Sequence, residues 1–281
     1  FHHLKVDFAG NEKWVLVPFD FSKLKQILFS WQTGMAEHGA WDALFWCNHD
    51  QPRVVSRFGD EKRYWKESAK MLATAVHCMR GTPYIYQGEE LGMTNAGFTR
   101  ISQYRDVESL NHFRILQEKG LTEEDAYRIL QVHSRDNSRT PMQWSDGEQG
   151  GFTEGTPWIE VNPNYRVIHA AGQLEDEDSV FHYYQRLIQM RKELDVIAYG
   201  EIAPLDERHP SVLAYERTYG RQSLLVICNF YGRETAWKGR QDLEEYQRIL
   251  GNYPEGAIGE ALTLRPYECL VLYREREREP T

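Results

Sequence analysis

Phe45-Trp46-Cys47-Asn48-His49-Asp50-Gln51-Pro52-Arg53 is the stretch on which the fold turns. An apolar run, Ala43 to Cys47, stops at a cluster of polar and ionisable groups. A buried parallel strand that opens into a site reads this way, because charge is tolerated where the strand leaves the core. In a β/α barrel that end of the strand carries the chemistry. The strand itself is expected over Asp42–Cys47.

Working outward, Trp65–Met79 places Ala69, Leu72, Ala73, Val76 and Met79 on one helical face. Gly81-Thr82-Pro83 breaks that helix, and Tyr84-Ile85-Tyr86 is the next short strand, ending at Gly88-Glu89-Glu90. Strand, helix and strand with tight turns make a parallel βαβ unit. Upstream, Phe21–Met35 has helical spacing with Ser22 as a candidate N-cap. Phe1–Asp7 reads as the end of a strand and its loop. Residues 94–176 interrupt the alternation with two helical pieces, near Val107–Lys119 and Glu123–His133, and then a Gly- and Asn-rich stretch. A strand-free segment of that length is usually functional when ordered. Phe181–Glu193 is again helical. From about Gly200 the period becomes two, with strands expected at Glu201–Leu205, Val212–Tyr219, Ser223–Asn229 and Glu268–Tyr273. The tail Arg274–Glu279 reads as a solvated end.

The 281 residues carry a net charge of −9, which argues against a general nucleic-acid surface. No run of about 18 apolar residues exists, so no membrane span is expected. Cys47, Cys78, Cys228 and Cys269 form no CxxC pair and no metal pattern. Buried free thiols in a reducing cytoplasm are expected, with neither metal nor cofactor. The chain holds 8 Trp and 16 Tyr, but aromatic rings serve sugar platforms and ordinary cores alike, so the count decides nothing.

Asp50 lies between His49 and Arg53. A carboxylate and an imidazole side by side can accept and donate hydrogen bonds to vicinal hydroxyls; the other reading is a salt-bridged loop carboxylate. Arg135 and Arg139, four apart, can share one face of a short helix, with substrate contact or pairing to Asp136 or Glu side chains as the two readings. Glu89 and Glu90 are adjacent, and adjacent strand residues point to opposite faces. They read as structural.

Three runs, Asn48–Arg53, Gly81–Met93 and Ser134–Trp144, resemble the α-amylase superfamily of glycoside hydrolases, in its order and at its spacing. The likeness is to the branch of oligo-1,6-glucosidases and trehalose-6-phosphate hydrolases, and it covers essentially the whole chain. It implies an α/β fold: the C-terminal part of a (β/α)8 TIM barrel followed by an antiparallel β-sandwich domain. Residues 1–197 would be the barrel from the end of strand six, including the insertion 94–176, and residues 198–281 the C-terminal domain. It also implies retaining hydrolysis of an α-glucosidic bond by two carboxyl groups about 5–5.5 Å apart, both upstream of residue 1. Asp50 matches the family's third carboxylate, which stabilises the transition state, and His49 its hydroxyl-binding histidine. Arg53, Arg135 and Arg139 are further substrate-binding candidates. Alone, this chain is expected to be inactive, and either to bind a companion N-terminal half, to self-associate, or to be a processed remnant.

Phe1-His2-His3-Leu4-Lys5-Val6-Asp7 discriminates among substrates. Relatives acting on neutral glucosides tend to be acidic at the positions of His2 and Lys5, and the run resembles that of the phosphotrehalose enzymes. A cationic loop on the catalytic face would attract a dianionic sugar phosphate. Lys13 is a second, less discriminating candidate. The competing readings are an oligo-1,6-glucosidase or isomaltase, a sugar isomerase on the same barrel, and a non-catalytic transporter partner. The retained His49 and Asp50 and the missing membrane segment argue against the last.

Overall fold

A computed structural model describes residues 4–254, 256 and 262–276. Helix α1 (Phe21–Glu37) buries Phe21, Leu24, Leu28 and Phe29. Its cap is Asp20 rather than Ser22. Asp20 is extended, and its carboxylate accepts the Lys23 amide at 2.9 Å, whereas Ser22 already lies within the first turn. Strand β1 (Ala43–Leu44) precedes α2 (Val54–Phe58) and α3 (Trp65–His77), and β2 (Thr82–Pro83) follows. The two strands pair in parallel, Ala43 with Thr82 and Leu44 with Pro83, so the βαβ unit stands. Both strands are shorter than the sequence suggests, and the second lies two residues earlier. One further ladder bond, from the Tyr84 amide to the Leu44 carbonyl, closes the pairing. Past it the Tyr86 carbonyl turns to the Glu89 amide. Leu4–Asp7 contain no strand; Leu4 and Val6 are buried in a loop and turn. His2 lies outside the described residues.

The long segment is ordered and has its own core. Helices α4 (Val107–Glu118) and α5 (Glu123–His133) pack Phe113, Leu116, Ala126, Ile129 and Leu130 against Phe98, Tyr104 and Ile159, with Trp14 of the N-terminal loop inserted among them. The Thr122 hydroxyl and the acidic first turn Glu123–Asp125 start α5, complementing its exposed amides and dipole. After α6 (Ala170–Glu175), helices α7 (Val180–Glu193) and α8 (Asp195–Tyr199) return the chain to the main core.

Strands β3 (Glu201–Leu205), β4 (Val212–Tyr219), β5 (Gln222–Asn229), β6 (Thr235–Trp237), β7 (Gln247–Gly251), β8 (Leu262–Leu264) and β9 (Cys269–Glu275) complete the chain. Five form an antiparallel sheet in the order β3-β4-β5-β9-β7, and β6 pairs with β8. Alternate residues serve two cores. Leu213, Tyr215, Leu224, Val226, Cys228 and Val271 join the helices, while Val212, Ala214, Leu225, Ile227, Leu270 and Leu272 meet Trp237 and Tyr246 on the other side. Strands β6, β7 and β8 are additions to the expected set. Of the expected solvated tail, Glu277–Glu279 lie outside the described residues, and its first residues are not free. Arg274 lies within β9, stacks 4.4 Å over Tyr246 and pairs with Asp242 at 2.9 Å and with Glu245.

Candidate active site

The polar end of β1 runs into a loop held from three sides. Below it, Arg53 is only 1% exposed. Its guanidinium donates to the Gln87 carbonyl at 2.6 Å and the Ser138 carbonyl at 3.4 Å, over the Tyr86 ring at 5.2 Å. Gly88, at φ +85°, lets the backbone come this close: a Cβ there would lie 3.0 Å from Arg53 Nη1. The Ser138 hydroxyl donates to the Gln51 carbonyl, and Tyr86 Oη to the Ser138 carbonyl at 2.9 Å. The three motif runs thus meet at one point. A guanidinium so enclosed cannot reach a ligand, so the expected substrate contact by Arg53 gives way to a supporting role.

Above it, Asp50 is one-third exposed and His49 mostly so. Their side chains approach to 3.4 Å. Arg139 Nη2 lies 2.9 Å from Asp50 Oδ1, and its Nε donates to the His49 carbonyl at 2.8 Å. Arg135 Nη1 lies 3.5 Å from the same Asp50 oxygen. Both arginines therefore converge on Asp50. The short 3-10 turn Arg135–Ser138 aims them, capped by the Ser134 hydroxyl on the Asp136 amide.

The insertion supplies two carboxylates that the sequence reading missed. Asp106 accepts two hydrogen bonds from Arg135, at 2.6 and 3.1 Å, and Glu108 lies 3.3 Å from Arg135 Nε. Burial pushes the Asp106 carboxyl up, but the Arg135 guanidinium, Ser109 and the Glu108 amide outweigh it and hold it below its usual value. The signal was present, because Asp106 stands one residue before a helix and reads as an N-cap. Lys13 bonds Glu108 at 3.1 Å and lies 4.6 Å from the Trp14 ring centre. Lys5 is exposed, and its ammonium donates to neutral Asn11 at 3.1 Å. Among the described residues it has no ion pair.

On the third side, Arg57 forks onto Asp7 at 2.6 and 2.7 Å, donates to the Leu4 carbonyl and reaches Gln51 Oε1 at 3.2 Å. It thereby ties the Lys5 loop to the Asp50 loop. Beside Asn48 opens a cavity of about 420 Å³ lined mainly by Phe45, Cys47, Tyr84, Ile85 and Tyr86. Beneath it, Glu89 is 3% exposed and accepts from Tyr184 Oη at 3.0 Å. Burial raises its carboxyl to about 7. Glu89 and Glu90 share one 3-10 turn, not a strand, so strand alternation is not what separates them; burial of Glu89 in the core is. Among the described residues no group of three or more His, Cys, Asp or Glu side chains could hold a metal ion.

Known proteins share this sequence and fold. Residues 1–200 match the α-amylase catalytic domain and residues 212–271 the SusG-type α-amylase C-terminal domain. The trehalose-6-phosphate hydrolase of Bacillus subtilis is 56% identical, over 96% of this chain and 49% of its own length. The oligo-1,6-glucosidase of Halalkalibacterium halodurans is 48% identical, over 99% and 50%. The crystal structure of Bacillus licheniformis trehalose-6-phosphate hydrolase superposes with a TM-score of 0.95 at 51% identity, covering 98% of this chain and 51% of that one. The chain spans about half the length of the curated relatives it matches. With its catalytic-domain segment and its appended antiparallel sheet, it belongs to the α-amylase family of glycoside hydrolases.

Proposed function

We propose that this chain forms the C-terminal part of a retaining α-glucosidase that hydrolyses trehalose 6-phosphate to glucose and glucose 6-phosphate. In this reading the barrel's N-terminal half supplies the nucleophile and the acid/base, so residues 1–281 alone are inactive. Residues 198–281 serve as the appended domain. Asp50 and His49 bind hydroxyls of the glucosyl unit, and Asp50 favours its oxocarbenium-like geometry. Arg139 holds Asp50, and Arg135 and Arg139 both face the rim.

The observation that carries the substrate assignment is Lys5. Its ammonium has only the neutral Asn11 as a described partner, while Lys13 is already neutralised by Glu108. Arg57 fixes the Lys5 loop against the Asp50 loop. A cation with no ion pair among the described residues, beside the Asp50 loop, suits a sugar phosphate. In the full-length protein, Lys5→Ala should lower kcat/KM for trehalose 6-phosphate by about ten- to a hundredfold, the equivalent of about 1.5–3 kcal/mol. It should leave isomaltose turnover nearly unchanged. An unaltered phosphotrehalose kcat/KM would overturn the assignment. The oligo-1,6-glucosidase reading is favoured by the 48% identical relative, and a native preference for isomaltose would put it first. A cytoplasmic location fits the four buried, unpaired thiols.

A further inference from the structure

Arg135 lies between two carboxylates that compete for it. Asp106 takes two of its donors in a fork, while Asp50 receives only the third nitrogen, at 3.5 Å, too long for a hydrogen bond. Asp106 cannot yield. Its side chain is 2% exposed, its amide donates to Asp136 Oδ2 at 2.8 Å, and its carboxylate caps α4 and accepts from Ser109 Oγ at 3.1 Å. Arg139 approaches it as well, at 3.8 Å. The cluster holds four carboxylates, Asp50, Asp106, Glu108 and Asp136, against three cations, Lys13, Arg135 and Arg139. An arginine fork binds one carboxylate bidentately at a time.

We propose that Asp106 is a positioning residue that holds Arg135 away from Asp50 and so keeps an Asp50 oxygen available to substrate hydroxyls. The inference rests on the role proposed above for Asp50. Without the Asp106 charge, Arg135 is free to turn its fork onto Asp50, and substrate must displace it. The insertion thereby sets the readiness of a carboxylate on the β1 loop.

The test uses the full-length protein with trehalose 6-phosphate and with isomaltose. Asp106→Asn preserves an N-cap and removes the charge. It should raise KM about tenfold with kcat within about threefold. Adding Arg135→Ala to that variant should recover part of the loss, because the intruding guanidinium is gone. A merely structural Asp106 would lower kcat through the folded fraction and would gain nothing from the second substitution. An unchanged KM, or a double variant no better than Asp106→Asn, overturns the proposal. Asp106→Ser, another capping residue, repeats the test should the Asn variant fold poorly. Asp50→Asn run in parallel should abolish turnover; if it does not, the reading of Asp50 has failed. A preference for isomaltose changes the substrate assignment and leaves the Asp106 comparison readable.

Discussion

Two regions of this molecule bury arginines, and they satisfy them in opposite ways. Around Asp50, Arg135 and Arg139 meet carboxylates at partial exposure. At the seam between the helices and the antiparallel sheet they meet backbone carbonyls. Arg217 is fully buried and donates to Cys78, Ile197, Gly200 and Glu201 carbonyls at 2.6–3.2 Å. Burial brings its guanidinium down to about 10. Arg191 likewise reaches the carbonyls of His77, Met79 and Gly81. Carbonyls at the ends of helices and strands do not move independently of the fold, so the seam has one arrangement. Carboxylates on separate loops can exchange partners, so the Asp50 cluster has several. The difference separates a scaffold from a site.

The strongest way to break this contrast is at the seam. Arg217→Met should leave three buried carbonyls and a part-buried one short of a donor and cost about 3 kcal/mol or more, read by denaturant unfolding. A loss under about 1 kcal/mol would place Arg217 with ordinary surface pairs.

Glu89 lies where the two regions meet, bonded to Tyr184 of α7 under the Asp50 loop. Its folded carboxyl titrates near 7 against an ordinary 4.5, chiefly through burial. Below about 4.5 both states hold the proton and it contributes nothing. As pH rises to about 7 the unfolded chain releases its proton more readily, so the folded state loses stability, and above that the loss is constant. Glu89→Gln should therefore gain on the order of 3 kcal/mol at pH 8 and nothing at pH 4. An equal effect at both pH values would contradict the burial argument.

The smallest stability effect is expected in the cluster. Arg139→Ala should cost about 1 kcal/mol or less in unfolding free energy, yet reduce kcat/KM of the full-length protein by roughly tenfold or more. A large stability loss with little effect on activity would make the cluster a second scaffold.

The sequence displayed the parts of the site that follow simple rules. An apolar run ending in His49-Asp50 and two arginines four apart are visible without a structure. Asp106 was readable only as a cap, because its second role depends on where the insertion folds. Arg53 was misjudged for a similar reason: charge predicts exposure, and only the enclosing carbonyls of Gln87 and Ser138 show otherwise. In the sheet, long alternating runs such as Val212–Tyr219 were plain. Gln247–Gly251 was not, because a bulge between Arg248 and Leu250 breaks its alternation. Arg274 read as tail because its partners Asp242 and Glu245 lie about thirty residues away.

The four cysteines, all free and buried, give the molecule an internal clock. Burial raises every one of their thiols, that of Cys269 to about 11 and that of Cys78 to about 12. Thiolate alkylation in the closed state is then negligible, and the rate of labelling becomes the rate of opening. Cys47 lies under the Asp50 loop, while Cys78, Cys228 and Cys269 lie along the seam. Mapping which thiol is alkylated first orders the opening of site and scaffold without any added probe.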